Sequence, residues 1–160
     1  MNMKTRFLIL LMIGFFAHLW NAQTLVKPAD FKLSGVASYL KSKGYTIVEE
    51  TPKYIEVKTK NNADVFLDVD VKKQVIYYST NILVNTSASK DKIREYIEMV
   101  NDRIPLFSVV YVEEKQKAMF QYSFWIKYGF TYESLEDSLS EFGLYVGDAL
   151  DLDKEQKILQ

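Results

Sequence analysis

The strongest pattern of apolar and polar positions lies between residues 119 and 150, where an alternating segment passes through Gly129 into a helical one. In the first segment, every second residue from Phe120 to Ile126 is apolar or aromatic, as in a strand with one buried face. In the second, apolar residues recur at spacings of three and four and share one helical face. These residues are Leu135, Leu139, Phe142, Val146 and Ala149 or Leu150. The pattern predicts a strand and an amphipathic helix that pack against a common core.

Polar residues mark the start and the outer face of this helix. Thr131 is expected to cap its first turn, because a threonine hydroxyl can accept a bond from a free backbone N–H group there. Glu136 and Glu141 lie off the apolar stripe and are predicted to face water. Beyond Leu150 the tail reads DLDKEQKILQ, and because it is charged we expect it to fray.

The rest of the chain alternates between the same two periodicities. A helix is predicted over about 30–43 with Gly44 as its stop, and a second helix begins at a cap on Ser87 or Ser89 and ends before Pro105. Strands are predicted at 45–49, 54–59, two within 63–84 around a turn at 72–74, 106–112 and 118–126. The order α-β-β-β-β-α-β-β-α predicts an α+β domain, an antiparallel sheet with helices packed on one side.

The N-terminus is typical of an export signal. Lys4 and Arg6 precede an uncharged run from Phe7 to Ala17 and a polar exit at 21–23. The apolar run ends at Trp20 and is shorter than the roughly 20 residues of a membrane span. We therefore predict a signal peptide over residues 1–22 and a single domain over 23–160, located in the periplasm of a Gram-negative bacterium or secreted. An uncleaved anchor is the alternative, and without cysteine neither a lipoprotein anchor nor a disulfide can form.

Charge and composition exclude several classes of function. Loss of Lys4 and Arg6 with the signal peptide reduces the 20 Lys and Arg residues to 18, against 21 Asp and Glu. An acidic balance without a basic run disfavours a nucleic-acid partner and a membrane partner after cleavage. The single histidine, His18, also leaves with the signal peptide. A mature chain without His or Cys can have no His or Cys nucleophile and no Cys/His zinc site.

Two groups of carboxylates are candidates for chemistry. Asp68 and Asp70 project from one face of a predicted strand and could bind a hard cation or act as an acid pair. No third carboxylate or calcium loop adjoins them, so we interpret them as a solvated strand face. Asp148, Asp151 and Asp153 also lack the pattern of a metal loop. We therefore predict no catalytic residue, no cofactor and no metal ligand.

The surplus of aromatic residues suggests a binding surface instead. Aromatic side chains occupy both faces of neighbouring predicted strands, so some of them must lie on the face away from the helices. They could simply fill the sheet, but Tyr, Trp and Met are also enriched in the cores of interfaces. The candidate residues for binding a partner are Tyr77, Ser79, Met119 and Trp125.

Four sequence phrases resemble the YbjN-like domains, a family of proposed bacterial sensory transduction regulators whose fold is similar to type III secretion chaperones. They are VASYLKSKGY from Val36, VFLDVDV from Val65, IEMVND from Ile97 and YGFTYESLEDSLSEF from Tyr128. The most specific match is Gly-x-Thr-x-Glu-x-Leu at 129–135, and the likeness covers about 30–150. This chain departs from the family in its export signal and in having Asn101 alone where an Asn pair is common. The resemblance implies a chaperone-like or regulatory binding module and no catalytic residues.

Together these observations predict an exported, non-enzymatic binding or regulatory protein. Its partner is expected to be another protein or a peptide segment, and a homodimer is left open. The sequence leaves two alternatives open. One is a carrier that binds a small molecule on the aromatic sheet face, and the other is a hydrolase or lyase that relies on Asp68 and Asp70.

Overall fold

A computed structural model describes residues 24–59, 62–153 and 157–160 of the chain, and the predicted signal peptide and His18 lie outside these residues. The described helices are α1 (Leu33–Ser42), α2 (Lys90–Arg103) and α3 (Tyr132–Leu152). The described strands are β1 (Thr46–Glu50), β2 (Tyr54–Lys58), β3 (Asp64–Asp70), β4 (Val75–Leu83), β5 (Phe107–Val112) and β6 (Lys117–Trp125). The predicted α+β class and the predicted order of elements are confirmed. Pro28–Asp30 forms a separate 3-10 turn before α1.

The strands form one six-stranded sheet in the order β1-β2-β3-β4-β6-β5, with every neighbouring pair antiparallel. The first four strands are a simple meander. The α2 crossover then places β5 at the far edge, and β6 returns between β5 and β4. The longest ladder therefore joins β4 to β6, and it runs from Val75 opposite Trp125 to Leu83 opposite Lys117.

The described helices cover one face of this sheet. Inward side chains alternate along each central strand, and those that are fully buried include Ile55, Leu67, Ile76, Tyr78 and Phe120. Because successive strand residues point to opposite faces, this alternation assigns the intervening residues to the other face. The prediction that the helices pack on one side is confirmed.

Helix α3 docks through the predicted stripe. Phe142 and Leu139 are 1% and 2% exposed, and Ala149 is buried while Leu150 is not. Ser138, a polar residue within the stripe, pairs its hydroxyl with the Tyr78 hydroxyl at 2.8 Å. This hydrogen bond gives the buried Tyr78 hydroxyl a polar partner. Burial raises the pKa of Tyr78 above its ordinary value.

The start of α3 is fixed by the predicted cap and by one contact that was not predicted. The Thr131 hydroxyl accepts from the Ser134 N–H at 3.1 Å, and the Ser134 hydroxyl accepts from the Thr131 N–H at 3.1 Å. Glu141 is exposed as predicted. For Glu136 the prediction is wrong, because this residue is half-buried and accepts a bond from the Tyr39 hydroxyl of α1 at 3.1 Å. A helical wheel cannot anticipate it, because α1 is distant in sequence.

The prediction that the chain frays after Leu150 is also wrong for the tail residues that the structure describes, 151–153 and 157–160, whereas 154–156 lie outside the described residues. The Asp153 carboxylate is buried and accepts bonds from the backbone N–H groups of Lys157, Ile158 and Leu159 at 2.8–3.1 Å. Leu159 forms a bridge with Val84, and the Gln160 N–H donates to the Leu83 carbonyl at 2.9 Å. The side chains of Ile158 and Leu159 are buried. The tail therefore extends the sheet at the end of β4, where β3 has no residues to pair.

We expect Asp153→Ala to lower the free energy of unfolding by about 2–3 kcal/mol, because a buried carboxylate that accepts several bonds is removed and its donors lose their partner. Asp151→Ala is the matched control, because Asp151 is exposed, and it should change stability by no more than about 0.5 kcal/mol. Urea unfolding of both variants measures the difference. Equal stabilities would mean that the tail contributes nothing to the fold.

Candidate functional site

The four predicted partner-binding residues all lie on the sheet face opposite the helices, which we call the open face. Tyr77 and Ser79 alternate with the inward Ile76 and Tyr78 of β4, and Met119 and Trp125 alternate in the same way along β6. Their exposure differs widely. Trp125 is 62% exposed, whereas Ser79 is only 7% exposed. The placement on one face is as predicted, and the binding role remains a prediction.

The strand register divides the open face into an aromatic end and a second apolar end. At the aromatic end, Val75 lies opposite Trp125 and Tyr77 lies opposite Ser123. At the other end, Met119 lies opposite Asn81 of β4 and Val110 of β5. The polar rung formed by Ser79 and Gln121 lies between them. Met119 is six residues from Trp125 along one strand, about 20 Å, so the four predicted residues do not form one continuous apolar groove.

The two candidate acidic residues lie at the margin of the aromatic end. Asp70 accepts a bond from the Lys73 N–H at 3.0 Å, which holds its carboxyl pKa below the ordinary value, so its role is to close the turn between β3 and β4. Asp68 lies on the open face between Tyr54 and Tyr77 in the register, and partial desolvation raises its pKa although the side chain is exposed. Neither carboxylate lies in a cleft that could bind a substrate against both.

The Lys73 ammonium group connects this acidic margin to the aromatic end. It lies 3.5 Å from the Asp70 carboxylate and 5.8 Å from the centre of the Tyr77 ring. The Tyr77 hydroxyl and then Asp70 raise the pKa of Lys73. Lys73, Asp68 and Asp70 therefore form a charged rim beside the exposed side chain of Trp125.

An open depression of about 420 Å³ lies on the helix side of the molecule, along α3, and is lined by Ser134, Asp137, Ser138, Ser140, Glu141 and Leu144. Glu141 accepts bonds from Tyr122 at 3.3 Å and from Tyr145 at 2.8 Å. Desolvation, followed by Glu141, raises the pKa of Tyr122, and the bond to Glu141 is the main cause that raises the pKa of Tyr145. The sequence indicated these bonds only through the four-residue spacing of Glu141 and Tyr145, which places the two side chains on one helical face.

Asn101 closes the outer edge of β5, a contact that sequence reasoning missed. Its side-chain amide donates to the Val109 carbonyl at 3.1 Å and accepts from the Val109 N–H at 2.7 Å. A side chain of α2 thus takes the place of a neighbouring strand. Because an unpaired edge invites association with other chains, this contact protects the sheet as well as fixing α2 on β5.

Among the described residues, we find no cluster of side chains placed to bind a metal ion and no helix suited to spanning a membrane. Asp153 is committed to the backbone of the tail, and no group of three or more His, Cys, Asp or Glu side chains in the described ranges is placed to hold a metal ion. Within the same ranges, no helix combines the length and the apolar character that crossing a membrane requires.

Among solved structures, the fold is similar to that of YbjN, described as "a putative transcription regulator from E. coli", with a TM-score of 0.68. The similarity covers 86% of this chain and 99% of that one at 15% sequence identity. The chain therefore has a YbjN-like fold, as the four sequence phrases predicted. An identity this low establishes the fold alone. No family profile matches the sequence, and no curated protein matches it.

We expect Asn101→Ala to destabilise the protein by about 1–3 kcal/mol, because both backbone groups of Val109 lose their partner at a partly buried position. Asp102→Ala removes a neighbouring exposed side chain and should stay within about 0.5 kcal/mol of the parent. Thermal unfolding compares the two variants. If Asn101→Ala melts with the parent, the amide does not hold α2 on β5.

Proposed function

We propose that this chain is an exported, non-enzymatic binding or regulatory protein, and that the aromatic end of its open face binds another protein. One observation carries the proposal, namely that Trp125 is 62% exposed on a sheet face that no described helix covers. Exposed large aromatic side chains on a rigid scaffold are typical anchors of protein interfaces, because they bury a large area at little cost in side-chain entropy.

The surroundings of Trp125 support a protein partner. Tyr77 on the adjacent strand provides further, half-buried aromatic surface, and Asp68, Asp70 and Lys73 form a polar rim. An aromatic centre with a mixed-charge rim is the usual composition of a protein interface. A nucleic-acid surface would instead need a basic patch, and the sequence, with 20 Lys and Arg against 21 Asp and Glu, contains no basic run.

The likeness to YbjN supports a regulatory role, since that protein is described as "a putative transcription regulator". The placement of Asp68 and Asp70 supports a non-enzymatic role. Asp70 is used to close a turn and Asp68 stands on an open surface, so the pair lacks the enclosed cleft in which general acid and base chemistry is efficient. Turnover of a simple ester or glycoside that is lost in Asp68→Asn would contradict this part of the proposal.

The decisive variant is Trp125→Ala, because it removes the anchor without opening the core. We expect a partner captured from extract of the source organism by the parent protein to be lost with Trp125→Ala, while both melt at the same temperature. Tyr128→Ala is the matched control, since Tyr128 is 86% exposed but lies beyond the end of β6, and it should retain the partner. Capture that is equal in all three proteins would contradict the proposal, and so would the absence of any partner.

Export is the second part of the proposal, and it depends on Lys4, Arg6 and the apolar run that follows them. We expect mass spectrometry of the native protein to find a mature N-terminus near Gln23 and to recover the protein in the periplasmic or secreted fraction. Intact Met1 in the membrane fraction would instead identify the run as an anchor.

A further inference from the structure

The open face carries a second group of aromatic and acidic side chains, on β2 and β3. In the strand register Tyr54 lies opposite Asp68, and Glu56 lies opposite Phe66. All four alternate with buried residues of their strands, so they point away from the helices. The two rings occupy one diagonal, with centres 6.3 Å apart, and the two carboxylates occupy the other. We call these four residues the Tyr54 quartet.

The described chain neutralises neither carboxylate of the quartet. Lys58 follows Glu56 on the same face of β2, but it pairs with Asp64 at 3.5 Å. In the part of the chain that the structure describes, no Lys or Arg forms an ion pair with Glu56 or Asp68. Partial desolvation raises the pKa of Asp68, because its charged form loses hydration without gaining a cation.

A contact between like charges adjoins the quartet. β1 has an irregular register between Ile47 and Glu49, after which Glu49 lies directly opposite Glu56 of β2. Glu49 also accepts the Tyr54 hydroxyl at 2.6 Å. Like charges directly opposite each other in a sheet are destabilising. These three carboxylates therefore adjoin the two rings of the quartet, and a cation bound among them would relieve their repulsion.

On the helix side of the molecule, a lysine completes a comparable set of one tyrosine and one carboxylate. The Lys43 ammonium lies 5.2 Å from the centre of the Tyr39 ring and 3.9 Å from the Glu136 carboxylate. Glu136 also accepts the Tyr39 hydroxyl, as Glu49 accepts that of Tyr54. None of the described Lys or Arg side chains lies over a ring of the quartet. A cation from outside the chain would complete the quartet in the same way.

We propose, building on the function proposed above, that the partner protein places an arginine side chain on the Tyr54 quartet. Arginine fits better than lysine, because its planar guanidinium group can stack on a ring while its N–H groups donate to two carboxylates. Both carboxylates of the quartet accept such bonds, and its rings contact the face of the guanidinium group. Asp68 lies opposite Tyr77 of β4, so the quartet is continuous with the aromatic end that contains Trp125.

Three amino-acid amides test the chemistry of the site, namely the N-acetyl amides of arginine, lysine and citrulline. Citrulline has nearly the shape of arginine but carries no charge. We expect the arginine amide to shift the ¹⁵N–¹H signals of Glu56 and Asp68 with a Kd in the millimolar range. The lysine amide should bind at least about threefold more weakly, and the citrulline amide at least about tenfold more weakly.

Isosteric variants separate the quartet from general electrostatics. Asp68→Asn and Glu56→Gln should each weaken binding of the arginine amide at least about fivefold. Both should melt no lower than the parent, because neither change removes an ion pair. Asp64→Asn is the matched control, since Asp64 lies on the same face of β3 but pairs with Lys58. It lies about 13 Å from Asp68 along the strand, beyond the screening length of about 8 Å in physiological salt, and should keep the parental affinity.

Three results would overturn the inference: equal binding of the arginine and citrulline amides, arginine binding that is unchanged in both isosteric variants, or no shift with any amide. Its failure is distinguishable from that of the proposed function. Capture of a partner that depends on Trp125 but not on Asp68 or Glu56 would reject the arginine contact and leave the proposed function standing. Binding of the arginine amide without capture of any partner would support the guanidinium site and reject the proposed function.

Discussion

The fold depends on the docking of one helix, α3, against the inner face of the sheet. Tyr78 stands at the centre of this contact, with its ring 6.1 Å from that of Phe142 and its hydroxyl bonded to Ser138. Phe142 in turn contacts Phe107 of β5 at a ring separation of 5.9 Å. One side chain of α3 thus links the centre of the sheet to its edge strand. Because the buried hydroxyl has a partner, the aromatic cluster carries no unpaired polar group.

Covering the sheet on one side has two consequences for function. It leaves a face on which Trp125 is exposed and Tyr77 is half-buried, so both can contact a partner while the core remains closed. It also leaves the strand edges to be protected individually, by Asn101, by the tail and by the irregular β1. The proposed binding surface on the open face therefore follows from the same architecture.

Local periodicity was sufficient to predict the element order, the α3 stripe and the open-face position of the four candidate residues, because alternation assigns each residue to a face. It could not predict contacts between a side chain and a distant backbone. The Asn101 bonds to Val109, the Asp153 bonds to the tail and the Tyr39 bond to Glu136 all depend on how elements meet in space. The tail was predicted to fray because its composition is charged. The sequence pattern does not show that the Asp153 carboxylate turns inward or that Leu159 pairs with Val84.

Unfolding of Phe142→Ala tests most directly whether α3 docking holds the domain together. Truncating a buried phenylalanine removes apolar contact and leaves a cavity, so we expect a loss of about 3–5 kcal/mol. For a domain whose total stability is about 5–15 kcal/mol, this is a large share. Asp148→Ala, on the exposed side of the same helix, should change stability by no more than about 0.5 kcal/mol. Equal denaturant midpoints for the two variants would contradict the account, because α3 would then not be the element on which the sheet depends.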